Sequence, residues 1–409
     1  MYRKINACRI CGNKDLIGVL DLGTQALTGV FPRSSSELML SGPLSLVKCA
    51  GAGSCGLLQL AHSYPLGDLY GDNYGYRSGL NPSMVAHLGA KVRRIESLGL
   101  TATDGLIVDI GSNDATTLKQ YKNRGCRFVG IDPTGQKFEK YYTDGIELMP
   151  EFFSAASFLE KSGGDKAKVV TSFSMFYDLE DPVAFMVEIG RILDDNGVWI
   201  FEQSYMPSML STNSYDTVCH EHLEYYALSQ IQWMAGRAGL RLVSVEVNSV
   251  NGGSFSVTAQ KLSGKLVPDA SVEELLHDEA AKRLDDLNTY VEFGKRVQRT
   301  REQLVEFLRK VKASGKTTMA LGASTKGNVI LQYCGIDKDL IAAVGEINVD
   351  KFGAFTPGSH IPIVNEQEVI DAKPNYALVL PWHFRSFFDA QEKYRSLCLV
   401  YPLPQLTHR

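Results

Sequence analysis

The sequence predicts an α/β protein of several domains, with a mostly parallel sheet in the middle, a small metal-binding module in front and a second α/β unit behind. Three observations predict it. From residue 105 onward short apolar runs alternate with amphipathic stretches, the pattern of parallel strands covered by helices. Four cysteines stand in two pairs near the N-terminus. Beyond a long charged stretch, a strand, a Gly–Ser/Thr turn and a helix recur in TTMALGASTKGNVILQYCGI.

The bulk properties set the frame for these elements. A chain of 409 residues exceeds one typical domain. Its 44% hydrophobic and 22% charged residues are those of an ordinary soluble enzyme. A net charge of −4 lacks the basic excess that nucleic acid or an anionic membrane selects. The opening MYRKINACRICG has no apolar h-region, and no run approaches the roughly 18 apolar residues of a membrane span. A cytoplasmic protein with eight reduced cysteines is expected, so clustered cysteines point to metal rather than to disulfides.

Cys8 and Cys11 form a C-x2-C knuckle, and Cys49 and Cys55 bracket the glycine-rich AGAGS. Two loops that each offer two thiolates complete a tetrahedron around Zn2+. A closed four-sulfur site has no open coordination position, so the expected role is structural. Cys126, Cys219, Cys334 and Cys398 are scattered and read as core residues.

In the middle, GLIVDIG, CRFVGID, KVVTSFS and GVWIFEQ read as strands, with TTLKQYKNRG and DPVAFMVEIGRILDDNG as helices between them. Ligands of such sheets bind beyond the carboxyl ends of the strands. VDIGSND ends the first strand in Asp109 and a turn at Gly111; the second strand ends in GIDPT, with Asp132 placed to bind ribose hydroxyls. GxGxxG is absent, so the dinucleotide fingerprint fails. An acid, a Gly turn and a second acid in this order resemble the S-adenosylmethionine (SAM) pocket of Rossmann-like methyltransferases. The expected cofactor contacts are Asp109, Gly111, Ser112, Asn113, Asp132, Pro133 and Ser174.

After SVTAQK the text from SVEELL to KASG repeats apolar residues at three- and four-residue intervals, which predicts one or two amphipathic connector helices. In the strand–turn–helix that follows, the free N–H groups of the helix start and the charge of Lys326 suit a phosphate. CHEHLEYYAL, residues 219–228, leaves three readings open on its residues alone: a metal site, a polar helix entrance, or an acid/base cluster.

Taken in order, the cysteine front, YGYRSGLNPSM, VDIGSND, the HEH cluster, NGGSF, GASTKGNVILQY, TPGSHIPIV and LPWHF resemble the C-methyltransferases of deoxysugar biosynthesis, which act on nucleotide-linked keto-sugars. The resemblance implies a Rossmann-like SAM methyltransferase domain flanked by a small zinc-binding N-terminal domain and a second Rossmann-like C-terminal domain, with boundaries expected at 1–72, 73–268 and 269–409. It implies SAM and structural Zn2+ as cofactors and a nucleotide-sugar as substrate. By position, His222 matches the base that removes a proton next to the sugar carbonyl, Glu221 its acidic partner, and Tyr76 a tyrosine at the reacting end of the sugar. Glu221 is expected to hydrogen-bond the imidazole and raise its basicity. The expected substrate contacts are Asn81, Asp178, Lys326 and Asn328.

The chain departs from that family pattern around the pocket. Cys219 replaces a tyrosine, Asp178 a histidine, Asn251 the histidine before Gly252–Gly253, and Ser256 an arginine. These changes imply a different sugar, ring carbon or acceptor atom. O- or N-methylation of a sugar nucleotide or small natural product is the alternative within enzymes, and a nucleotide-binding protein without turnover the alternative outside them.

Overall fold

A computed structural model describes residues 2–69, 77–101, 104–123 and 125–409 of the chain. The architecture is α/β, built around three larger sheets.

The central sheet has seven strands in the spatial order Leu240–Asn248, Ser254–Lys261, Leu193–Ser204, Ala167–Phe173, Leu106–Ile110, Arg127–Ile131 and Ile146–Met149. Ser254–Lys261 runs antiparallel to both its neighbours, and the other pairs are parallel. Every residue of Leu106–Ile110 is buried, as in a parallel strand covered on both faces. Strand order reverses on the two sides of this first strand, and the crevice at such a switch point is where α/β sheets hold ligands. Of the two expected helices, Pro182–Ile192 forms. Asp181 caps it by accepting from the Ala184 N–H, and proline occupies its first position. The stretch after VDIGSND forms only the single turn Thr116–Lys119.

The C-terminal sheet runs Ile363–Asn365, Val344–Glu346, Thr318–Leu321, Tyr376–Val379, Leu399–Tyr401, Thr407–His408. In sequence order that is 3-2-1-4-5-6, the doubly wound order with its switch point between strands 1 and 4. The connector is two helices, Ser271–Ala281 and Leu287–Ala313. The longer one buries Tyr290, Phe293, Val297, Leu304, Leu308 and Val311 along one stripe, the three- and four-residue spacing of an amphipathic helix. Tyr290, Phe293, Val297, Leu304 and Leu308 share one core with Leu44, Leu46, Leu58 and Leu60 at the front and with Val344, Leu378 and Leu399 at the back.

The small N-terminal sheet joins Leu16–Ala26, Ser41–Cys49 and Leu58–Leu60. Its fourth strand comes from far along the chain: Glu224–Tyr225 pairs antiparallel with Gln59 and Leu58, and the Leu60 N–H donates to the Leu223 carbonyl at 2.8 Å. The expected HEH cluster thus runs directly into an edge strand of the cysteine-bearing sheet. Among the described residues no helix is long and apolar enough to cross a membrane.

Candidate functional site

The four front cysteines converge. The Sγ atoms of Cys8, Cys11, Cys49 and Cys55 all lie within 4.8 Å of one another, and the Cys8–Cys55 and Cys11–Cys49 pairs are each 3.5 Å apart. Zn–S bonds of about 2.3 Å in a tetrahedron put sulfurs roughly 3.8 Å apart, so the cluster fits the ion. The Asn13 amide donates to the Cys49 Sγ at 3.4 Å, a contact that orients a ligand thiolate. Arg9, inside the knuckle, reaches away from the metal. It donates to the Leu60 carbonyl at 2.7 Å and lies 3.5 Å from the buried Glu224 carboxylate.

At the switch point of the central sheet lies a cavity of about 230 Å³. All seven residues expected to hold a cofactor line it: Asp109, Gly111, Ser112, Asn113, Asp132, Pro133 and Ser174. Gly111 turns the chain with φ 75°, and a Cβ there would press on the Met175 side chain at 3.0 Å. Asn113 (φ 49°) and Ser174 (φ 56°) also take left-handed backbone, uncommon for side-chain-bearing residues and a mark of functional turns. Phe152, Phe153, Met84, Leu88 and Phe185 supply apolar walls. Acids and amides at the strand ends with an apolar slot beside them suit a nucleoside.

The two carboxylates differ. Burial pushes the Asp109 pKa up to about 7, against hydrogen bonds from the Thr171 and Thr117 side chains, with the Asp132 charge adding to the rise. Asp132 is heavily engaged by its own chain. Its Oδ1 accepts from the Thr134 N–H at 2.7 Å and the Thr134 hydroxyl at 2.6 Å, and its Oδ2 accepts from the Asn113 N–H at 2.8 Å. A carboxylate offers about four acceptor positions, so about one remains. These three contacts fix the orientation of the carboxylate at the cavity wall.

The segment at 77–81 closes over the rim. The Ser78 N–H donates to the Asn113 side chain at 3.0 Å and the Gly79 N–H to Asp114 at 3.1 Å. Asn81 is occupied differently from the expectation. Its side chain oxygen accepts from the Ser83 N–H at 3.0 Å and caps the Pro82–Ser97 helix. Tyr76 lies outside the described residues.

The HEH turn docks on the same ledge as the cavity. The Leu223 N–H donates to the Tyr177 carbonyl at 2.8 Å, the rings of Tyr177 and His222 stand 4.2 Å apart, and the next residue, Asp178, lines the cavity. His222 Nδ1 bonds the Thr217 carbonyl at 2.8 Å. A carbonyl only accepts, so Nδ1 carries the proton and Nε2 keeps its lone pair. This corrects the expectation that Glu221 holds the imidazole. Its basicity is not raised either: burial and the nearby Lys326 charge push the His222 pKa down to about 4. Glu221 is buried, its pKa raised by that burial, and it faces Gly29 with the Thr28 hydroxyl and Cys219 thiol beside it. His220 faces the other way. It is fully buried, 3.3 Å from the Gly42 carbonyl and edge-on to Tyr64, a packing role.

At the switch point of the C-terminal sheet the expected phosphate turn takes another form. Its Ala323 N–H donates to the Glu346 carboxylate at 3.0 Å, and the Ser324 hydroxyl caps the Thr325–Cys334 helix by accepting from the Gly327 N–H. The turn thus already holds an anion from the protein. Lys326 points inward and donates to the Asn251 carbonyl at 2.7 Å. Asn328 is fully buried and donates to the Thr28 carbonyl at 2.8 Å. Around Lys326 gather groups that sequence reasoning missed. Asp216, 1% exposed, accepts from the Trp382 indole at 2.9 Å. His383 has its pKa pushed down to about 3 by burial and Lys326. The LPWHF motif was the available signal, but it does not reveal which residue it meets.

Family models and a relative match this assembly. Residues 8–70 match a zinc-binding domain, 86–245 a methyltransferase domain and 249–404 a C-methyltransferase C-terminal domain. The chain is 31% identical over 399 residues to the C-methyltransferase NovU of Streptomyces niveus, spanning 96% of this chain and 93% of that one. Among solved structures, an O-methyltransferase family protein from Burkholderia thailandensis overlays on 44% of this chain and 58% of its own at TM-score 0.35 and 17% identity. The magnesium protoporphyrin IX methyltransferase ChlM of Synechocystis PCC 6803 overlays on 47% of this chain and 90% of its own at TM-score 0.34 and 15% identity. Overlays this partial carry no weight beside the sequence match.

Proposed function

The chain belongs to the C-methyltransferase family, whose reaction depends on SAM, and from that premise we propose that it methylates a ring carbon of a nucleotide-linked 4-keto-deoxysugar. A methyl group joins carbon only if that carbon becomes nucleophilic, and a sugar carbon does so by losing a proton next to a carbonyl. SAM supplies the electrophilic methyl. In the proposed site the cavity residues Asp109, Gly111, Ser112, Asn113, Asp132, Pro133 and Ser174 hold SAM, with the Asp132 Oδ2 on a ribose hydroxyl. His222 removes the proton through Nε2, and Glu221, held in a buried site against Gly29, binds a sugar hydroxyl. Tyr76 keeps its assignment as a hydrogen-bond donor at the reacting end of the sugar, and Asp178 and Asn328 their assignments as sugar contacts.

One observation carries this reading: the imidazole of His222, with its Nδ1 proton tied to the Thr217 carbonyl, packs on Tyr177, one residue from the cavity wall at Asp178. A neutral imidazole with a free Nε2 is the form a base requires. Family membership favours carbon over oxygen or nitrogen as acceptor. The free cysteines suit a reducing cytoplasm, which is where we place the protein.

The test is proton exchange in deuterated water without SAM, followed by NMR of a thymidine- or uridine-diphosphate-linked 4-keto-6-deoxyhexose. The wild type should introduce one carbon-bound deuterium, and His222→Asn should lose that exchange while still binding SAM. Exchange that survives in His222→Asn removes His222 from the role of base.

A further inference from the structure

Removing the proton is half of an enolisation; the other half is a cation or donor for the oxygen that becomes negative. The described part of the HEH neighbourhood holds an ammonium in a position to serve. Lys326 stands in the first turn of the Thr325–Cys334 helix, at the switch point of the C-terminal sheet where ligand crevices form. Its Nζ donates to the Asn251 carbonyl, and an ammonium has three protons to give. Burial lowers the Lys326 pKa, and the Asp216 charge is the larger of the two that oppose this. The Lys326 charge is in turn felt by His222, His383 and Asp216.

The groups around it point to a ligand. Asp216 Oδ1, Thr217 Oγ1, Asn328 Oδ1 and His383 Nδ1 are all buried without a hydrogen-bond partner among the described residues. Asp216, Thr217 and Asn328 are each 3% exposed or less. Buried polar atoms left unpaired cost about 1–3 kcal/mol each, so several together mark a place completed by something bound. The set is rich in acceptors, which suits the hydroxyls of a sugar ring and repels a phosphate. The anion position of the nearby turn is already filled by Glu346.

We infer that Lys326 is not a phosphate anchor but the cation that receives the ketone oxygen of the substrate beside His222. This rests on the enolisation proposed above. In that step the Cα–H bond breaks and its proton goes to His222 Nε2. The bond's electron pair forms the C=C of the enolate, and the carbonyl π pair moves onto oxygen, facing the Lys326 ammonium. Without SAM the same step reverses and returns a solvent deuteron to carbon. Asp216, half satisfied by Trp382, then takes a neighbouring sugar hydroxyl.

The experiment follows exchange without SAM in Lys326→Met, with Lys326→Gln as a second variant should methionine fail to fold, and SAM binding by calorimetry as the check of folding. An oxyanion donor is worth about 10²–10³ in rate, so the exchange kcat should fall by that factor while KM for the keto-sugar nucleotide changes little. A KM raised tenfold or more with kcat retained would make Lys326 a phosphate anchor and overturn the inference; so would unchanged exchange, or loss of both parameters together. A wild type that exchanges no proton in any keto-sugar would instead refute the enolisation itself, a separate outcome.

Discussion

Tyr177 and His222 meet with ring centroids 4.2 Å apart and planes tilted by 58°. The contact joins the segment that lines the proposed SAM cavity to the turn that carries the proposed base. Tyr177 is itself 8% exposed, so its ring is a wall that fixes the imidazole. Tyr177→Ala should lower kcat about 100-fold, the order of loss expected from an ångström-scale misplacement, with SAM affinity within about threefold of wild type. Steady-state kinetics beside calorimetry check this; a kcat unchanged in the variant would show that the ring does not position the base.

Gly29 provides a finer probe of Glu221. A Cβ at Gly29 would sit 2.6 Å from Glu221 Oε1, too close unless the carboxylate swings away. Gly29→Ala should cut turnover at least about tenfold through that displacement. Thermal stability should shift by only a few degrees, as for a loss near 1 kcal/mol. Equal activity in the variant would remove Glu221 from the reaction.

The pH dependence of SAM binding should follow Asp109. Its folded pKa of about 7 lies above its ordinary 3.8, so the neutral acid favours the folded protein. That contribution is complete below about pH 4 and fades as pH rises through 7. Cationic SAM favours the ionised form. Binding should therefore release a proton, and affinity should rise up to about tenfold between about pH 6 and 8. Calorimetry in buffers of different ionisation enthalpy measures the release. Asp109→Asn should flatten the profile, and a flat profile in the wild type would contradict the assignment.

Glu279 reports on architecture rather than chemistry. It is 3% exposed and accepts from Tyr205 OH at 2.9 Å, Leu228 N–H at 2.6 Å and Ser229 N–H at 3.0 Å. It thereby caps the Leu228–Arg237 helix from the connector. Glu279→Ala strands these donors and should cost about 2–4 kcal/mol in urea unfolding. A loss under about 0.5 kcal/mol, the level of a neutral surface change, would contradict the cap.

Removal of zinc should reach beyond the front module. Arg9, within the knuckle, joins the ligand loop to Glu224 in the strand that follows the HEH turn. Chelation should abolish proton exchange while SAM binding persists, since the residues that line the cavity all lie outside the cysteine-bearing front. Parallel loss of both would show that the front module also supports the cavity.

The sequence revealed most where one short segment decides the outcome. The VDIGSND and GIDPT turns place their own residues, because local backbone and strand order leave few alternatives, and the two distant cysteine pairs are marked by residue type alone. It was less informative where partners come from distant segments. The acceptor for His222 is a main-chain carbonyl at Thr217, which leaves no trace in residue type. The direction of Lys326 depends on Asn251, some 75 positions earlier. The cap made by Asn81 is equally hidden, because helix caps and ligand contacts draw on the same side chains.

The pairing of Glu224–Tyr225 with Leu58–Gln59 makes the front of the molecule inseparable from one loop of its centre. A graft that exchanges residues 1–72 for those of a relative would leave that loop facing a foreign partner. To remain functional, such a chimera has to carry residues 219–226 with it. The unit that evolution or an engineer can transplant is therefore discontinuous in the chain.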